Sequence, residues 1–169
     1  MKIIVVYKSK TGFSKQYAKW IQSSLNCDML SLDQVKTLDG YDMVIYGAGL
    51  MAGQINGLKK FQSYIKNQKI VIFATGAISK EATEIIEKVK KDNLSLFNQD
   101  VPFYYFEAGL NYDKMGFFSK RMLKMMYHSL KKKTEKTMEE EEMMIALAKS
   151  HNHAKQSDIL PLIETIKQS

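Results

Sequence analysis

"VVYKSKTGFSKQYAKWI", residues 5–21, carries the chain from an apolar run into an amphipathic one through Ser9, Lys10, Thr11, Gly12 and Ser14. A plain connection needs one turn former and one cap, and this one supplies more polar groups than a turn can use. Upstream, residues 2–7 form a continuous run rich in β-branched residues, the pattern of a strand covered on both faces. Downstream, Tyr17, Trp20, Ile21 and Leu25 recur at helical spacing. The first amides of that helix have no partner inside it, and the helix dipole makes that end positive. Gly12 lacks a Cβ, so the backbone can curl into an anion nest to which Ser9, Thr11 and Ser14 each add a hydroxyl donor. A terminal phosphate is the guest such a nest expects. Taken alone, the same residues serve equally well as a turn, with Ser14 as the helix N-cap.

The rest of the chain sets the frame. "CDMLSL" (27–32), "DMVIYG" (42–47), "KIVIFATG" (69–76) and "VPFYYFEAG" (101–109) read as further strands. Leu58, Phe61 and Ile65 mark a helix starting near Asn56, and Ala82, Ile85, Ile86 and Val89 share the face of another, capped by Ser79. Strands alternating with helices predict an α/β fold: right-handed crossovers and a parallel sheet between two helical layers, with five strands in the order 2-1-3-4-5. Ligands in such sheets bind outside the carboxyl ends of the strands, where the order reverses. Residues 1–169 read as one domain, with 107–157 an inserted helical and loop segment. Within it, 115–133 forms a basic amphipathic helix, Thr137 and Glu140 a capping box opening a second helix through Leu147, and 149–158 a polar loop. Asp158 is placed to cap a closing helix that holds Pro161 in its first turn.

Two more loops decide what the first one holds. The third strand ends in "GAGLMAGQING" (47–57) and the fourth in "ATGAIS" (74–79), both glycine-containing and poor in charge. Small residues there let backbone amides and carbonyls face a flat heteroaromatic ring. A phosphate nest beside two such loops suits flavin mononucleotide, FMN. Gly47, Gly49 and Gly53 do not make a dinucleotide fingerprint, since their spacing is wrong and the next strand lacks an acid for a ribose. No Walker sequence is present.

"YKSKTGFSKQYAKWI" resembles the phosphate loop of the flavodoxin superfamily, whose Ser/Thr-x-Thr-Gly-x-Thr/Ser pattern is matched by Ser9, Thr11, Gly12 and Ser14. Together with "YGAGLMAGQINGLKKF" and "FYYFEAGLNYDKMGF", it is similar to the flavodoxin-domain branch that includes bacterial quinone-dependent protoporphyrinogen oxidase, over residues 2 to roughly 130. The resemblance implies a flavodoxin-like three-layer sandwich and an FMN-binding oxidoreductase, with a reduced porphyrin as donor and a quinone as acceptor. A non-enzymatic electron carrier or flavin-binding module is the alternative, and a domain that has lost the cofactor a third. Ser9, Lys10, Thr11, Gly12, Phe13 and Ser14 are then the phosphate loop. Ala48, Gly49, Leu50, Met51, Ala52 and Gly53 flank the isoalloxazine on one side, and Thr75, Gly76 and Ala77 on the other. Phe13 stands where short electron-transfer flavodoxins usually carry asparagine. The second and third loops offer no ring to stack on the flavin, which leaves Met51, or Tyr112 reaching in from the segment after the fifth strand. No residue is expected as catalytic acid or base, because the flavin carries the electron chemistry.

The net charge of +7 is local. Residues 114–133 hold seven basic side chains and no acid; removing those seven from the 25 basic residues leaves 18, equal to the acidic total. Met115, Phe118, Met122, Met125 and Met126 share one side of this helix, widened by Leu123, Tyr127 and Leu130. Either that side docks on the domain beneath a solvated lysine face, or it meets an anionic partner: phospholipid headgroups, porphyrin carboxylates or an acidic redox protein. Small shuttle flavodoxins are typically acidic, so the charge argues against a simple shuttle, and nucleic acid is not expected. His128, His151 and His153 make no convincing ligand set, and no metal is expected. The single cysteine, Cys27, and the absence of a leader-like or spanning apolar run suit a cytoplasmic protein, with peripheral contact at the inner membrane face through 114–133.

Overall fold

The computed structural model describes residues 1–168; Ser169, the last residue of the expected single domain, lies outside the described residues. Five parallel strands form the sheet: β1 (Ile3–Lys8), β2 (Asp28–Ser31), β3 (Met43–Met51), β5 (Lys69–Gly76) and β6 (Phe103–Glu107). Their order is β2-β1-β3-β5-β6, the expected 2-1-3-4-5 arrangement once the two-residue β4 (Gln54–Ile55) is set aside as a hairpin partner of β3. Alternation along the strands divides the core in two. Ile4, Val6, Val44, Tyr46, Ile70 and Ile72 face one way and pack with Leu58 and Phe61 of α2 (Leu58–Gln62). Val5, Ile45, Val71, Phe73 and Phe106 face the other way, against α1 (Phe13–Leu25) and α6 (Leu160–Lys167). Gly47 is explained by this packing: a methyl group on it would overlap the ring of Phe73, so only glycine admits the side chain.

Several local expectations are corrected. The third strand runs four residues past Gly47 before turning back at Ala52 and Gly53, whose φ angles are +49° and +74°. The α2 helix is short, and Ile65 packs on the core from beyond its end. Ser79 does not cap α3 (Thr83–Leu94); its hydroxyl accepts the Glu81 amide in the turn before the helix. Asp158 lies in a 3-10 turn (Gln156–Ile159) ahead of α6, and its carboxylate is drawn to Tyr17 and Lys80 instead of a helix end. Pro161 does sit in the first turn of α6.

The insertion lies between β6 and the closing turn. It contains β7 (Gly109–Leu110), α4 (Phe117–Lys132), α5 (Met138–Leu147) and β8 (His151–Asn152). The capping box forms as expected: Thr137 Oγ1 accepts the Glu140 amide, and the Glu140 carboxylate accepts the Thr137 amide. Residues 149–158 are not a free loop, because β8 pairs antiparallel with β7 and returns the chain to the sheet edge. Leu110, Tyr112, Leu123, Tyr127, Leu130, Met143 and Leu147 make a small separate core. It is the Leu123, Tyr127 and Leu130 side of α4 that docks; Phe118, Met122, Met125 and Met126 remain exposed. The helix carries two apolar arcs, and its sequence pattern alone does not say which one is covered.

Candidate functional site

The loop after β1 is closed by its own groups. The Gly12 amide donates to Ser9 Oγ at 3.1 Å, and Gly12 takes a φ of +102°, a left-handed conformation that side-chain-bearing residues rarely adopt. Helix α1 starts at once, with no side chain capping it, and its first closing bond runs from the Gln16 amide to the Gly12 carbonyl. The positive end of a 13-residue helix is thus left to an outside acceptor. Lys10 and Gly12 are exposed, and Thr11 and Phe13 are half-buried beside them. Ser14 departs from expectation. Its side chain turns inward, and Oγ lies 2.8 Å from Thr75 Oγ1 in a buried pair. That bond fixes α1 to the end of β5 in place of a free donor.

The neighbouring loops meet at the same point. Strand register sets Lys8 opposite Ala48 and Gly49 opposite Thr75. A methyl group on Gly49 would lie 3.7 Å from Ser14 Oγ and 3.8 Å from Thr75 Oγ1, so residues from three loops converge there. Ala48 itself is fully buried in the core, which leaves only its backbone to face a ligand. Leu50 pairs with Ile55 and Met51 with Gln54, so residues 48–53 are one arm and the tip of a hairpin, not an irregular loop. Asn93 of α3, itself buried, clamps that hairpin: Oδ1 accepts the Ile55 amide at 2.8 Å, and Nδ2 donates to the carbonyls of Gly53 and Val89 at 2.9 and 2.8 Å. Met51 and the Ala52–Gly53 tip are left exposed. At the end of β5, Gly76 and the following Ala77 are half-buried, and the Tyr105 hydroxyl supports the turn by donating to the Ile78 carbonyl at 2.7 Å.

The insertion adds residues that the sequence reading did not find. Asn111 accepts the amides of Asp113 and Lys114, and this small turn holds Lys114 Nζ 3.9 Å from where a Cβ on Gly12 would stand. Thr11, Gly12, Phe13 and Gln16 on one side and Asn111, Lys114, Ser150 and Asn152 on the other line a cleft of about 400 Å³. The signal was present as "LNYDK" and "SHN", but only the β7–β8 pairing brings those stretches to the loop. Tyr112 does not reach the site, since it is buried in the insertion's own core and its hydroxyl donates to the Leu147 carbonyl.

A second cleft of about 400 Å³ opens beyond Ala77, between Ser79 and Glu107 on the domain side and Tyr127, Ile145, Lys149, His151 and His153 on the insertion. His153 Nδ1 lies 2.6 Å from Glu107 Oε1. Burial works against ionising Glu107, but the Lys80 amide and His153 outweigh it, and the carboxyl is held below its ordinary value. Among the described residues no group of three metal-ligating side chains comes together.

The donor set suits the phosphate end of FMN: uncapped first-turn amides, the Thr11 hydroxyl, and an ammonium group brought over the loop by Lys114. The hairpin tip and the turn after β5 offer small residues and backbone to a planar ring, with no aromatic among residues 48–53 or 75–77.

Residues 4–137 match the family described as flavodoxin domain. No curated protein matches the sequence. Solved structures of similar shape include a flavodoxin from the domain Archaea, 21% identical with a TM-score of 0.43, the match covering 68% of this chain and 89% of that one. A flavoprotein from Lactobacillus acidophilus solved in complex with FMN is 14% identical, with a TM-score of 0.45 and coverage of 63% and 91%. Rubredoxin oxygen:oxidoreductase from Desulfovibrio gigas is 13% identical with a TM-score of 0.45, and the match covers 87% of this chain but 36% of that one. With the match running from β1 through α4, the chain belongs to the flavodoxin-domain family.

Proposed function

We propose that the protein is an FMN-dependent oxidoreductase that takes electrons from a reduced, carboxylate-bearing substrate of the porphyrinogen class and passes them to a quinone, in a cytoplasmic setting. The carrying observation is that the second cleft shares Ala77 with the turn expected to flank the isoalloxazine. Its walls combine Tyr127, Met144 and Ile145 with a polar rim of Lys149, His151 and His153 beside the carboxylates of Glu107 and Glu142, an apolar slot in which Lys149 is the cation available to a guest's carboxylate.

Bound FMN would supply a two-electron acceptor at the mouth of this slot. The α1 amides, Thr11 and Lys114 would hold its phosphate, and the hairpin and residues 75–77 would flank its ring. Glu107 fixes the His153 ring through Nδ1, leaving Nε2 as the nitrogen free to take a proton released by the substrate. Lys149 balances a substrate carboxylate at the rim.

Two measurements test the reading. The purified protein, incubated with FMN and dialysed, should keep a flavin absorption spectrum; a colourless product removes the enzyme reading altogether. The loaded protein should then oxidise protoporphyrinogen with menadione as acceptor, and His153→Ala should lower turnover while leaving the flavin spectrum unchanged. Flavin reduction by a partner reductase without porphyrinogen turnover would identify an electron carrier instead.

A further inference from the structure

Helix α4 is anchored by one apolar arc and presents another to solvent. Leu123, Tyr127 and Leu130 pack against Leu110, Met143 and Leu147. At roughly 100° per residue, Phe118, Met122, Met125 and Met126 fall on a separate arc about 100° wide. All four are exposed, Phe118 at 86% and Met125 at 64%, and Phe117 joins them at the start of the helix with its ring edge-on to Phe118. A contiguous row of large apolar side chains left in water marks an interaction surface.

The charges around this row are all of one sign. Arg121 and Lys132 lie along its edge, with Lys124 and Lys131 beyond, and the helix holds no acid. Among the described residues none of these four is ion-paired, whereas Lys133, just past the helix, is bound by Glu140 at 2.6 Å. Lys124 Nζ stands only over the Tyr112 ring, 5.8 Å from its centroid. A second copy of the chain is a poor occupant, since pairing two such helices would bring their free cations together.

We infer that α4 docks the protein on an anionic lipid surface, with Phe117, Phe118, Met122 and Met125 entering between the headgroups, Arg121 and Lys132 at the edge of the row meeting lipid phosphates, and Lys124 and Lys131 adding longer-range attraction. Flexible methionines and aromatic rings fill the irregular headgroup boundary, and the aliphatic stems of the basic residues lie along it while their charges stay wet. The exposed Glu139 and Glu141 of α5 set the orientation, because they turn that helix away from the lipid. The inference rests on α4 alone and is independent of the flavin reading.

Flotation of the full chain with lipid vesicles tests it without any flavin. Vesicles of phosphatidylcholine with about one-third phosphatidylglycerol should bind at least about tenfold more protein than pure phosphatidylcholine, and high salt should weaken the binding. Two variants separate the contributions: Phe117→Ser/Phe118→Ser/Met125→Gln removes the apolar row, and Arg121→Glu/Lys131→Glu/Lys132→Glu reverses the charge. Each should lower binding about tenfold or more while far-ultraviolet circular dichroism stays unchanged, since these side chains lie outside the packed core. Binding that survives the apolar variant at full strength, no preference for anionic vesicles, or self-association lost on the same substitutions would overturn it.

Discussion

The hydroxyls of Ser14 and Thr75 lie 2.8 Å apart in a buried pair that ties the first turn of α1 to the last residues of β5. Both residues are almost completely buried, so each hydroxyl is the other's means of satisfying its polarity. The pair also sets the distance between the loop that would hold a phosphate and the turn that would flank a ring. Ser14→Ala leaves Thr75 with a buried hydroxyl and should cost about 1–2 kcal/mol of stability. Adding Thr75→Val should cost less than a second increment of that size, since the stranded hydroxyl is removed as well. Urea unfolding of the two single variants and the double variant measures this coupling directly.

Gly12 carries the left-handed turn that starts α1. Gly12→Ala places a Cβ in that strained conformation and within 3.9 Å of Lys114 Nζ. A stability loss of about 1 kcal/mol is expected. FMN affinity, read by quenching of flavin fluorescence, should fall more steeply than stability does.

On the proposed reading, Lys114 would distinguish the two ends of the ligand. Lys114→Ala should weaken FMN binding about tenfold and leave riboflavin, which has no phosphate, unaffected. The difference between FMN and riboflavin affinities should also shrink as salt rises. Equal losses for both ligands would place the lysine elsewhere.

Glu107 governs an acid-sensitive part of the fold. Its carboxyl ionises more readily in the folded chain than its ordinary value near 4.5, so its contribution is fully present above that pH. The contribution is lost as the pH falls through the lower folded value. Glu107→Gln should therefore be less stable than the parent at neutral pH, and its melting temperature should decline less as the pH falls below the ordinary value of 4.5.

Cys27 is shielded. Burial first, and the neighbouring Asp28 carboxylate second, push its thiol up to about 11. At pH 8 nearly all of it is protonated, and the thiolate is the reactive form. Reaction with a disulfide reagent should be more than about tenfold slower in the native protein than in urea.

What was legible in the sequence was what local pattern determines. The continuous apolar runs of β1 and β5 and the spacing of Tyr17 and Ile21 on α1 give the sheet and one of its covering helices directly. Thr137 and Glu140 announce the start of α5 because a capping box is made entirely within four residues. The same reading stopped the third strand at Gly47, because Ala52 gives no sign that it will take a positive φ and turn a hairpin. That hairpin is held from outside by Asn93, and Gly53 is the local turn signal it carries. Around the phosphate loop, Ser9 to Ser14 were visible as a cluster, but Lys114 was not. Its place depends on two-residue strands whose pairing, Gly109 with Asn152 and Leu110 with His151, spans the whole insertion.

The position of that insertion shapes how the molecule can be made. Leucines and isoleucines of α6 complete one face of the sheet, yet the chain must first build α4 and α5 before α6 leaves the ribosome. A nascent protein with all its parallel strands synthesised has only α1 on that face, so Val71, Phe73 and Phe106 are incompletely covered. Sheets that wait for distant partners fold slowly and are prone to aggregate in the interval. A pause in translation within the insertion should thus be more damaging to yield than one after α6, because the half-made sheet is then left open to its neighbours.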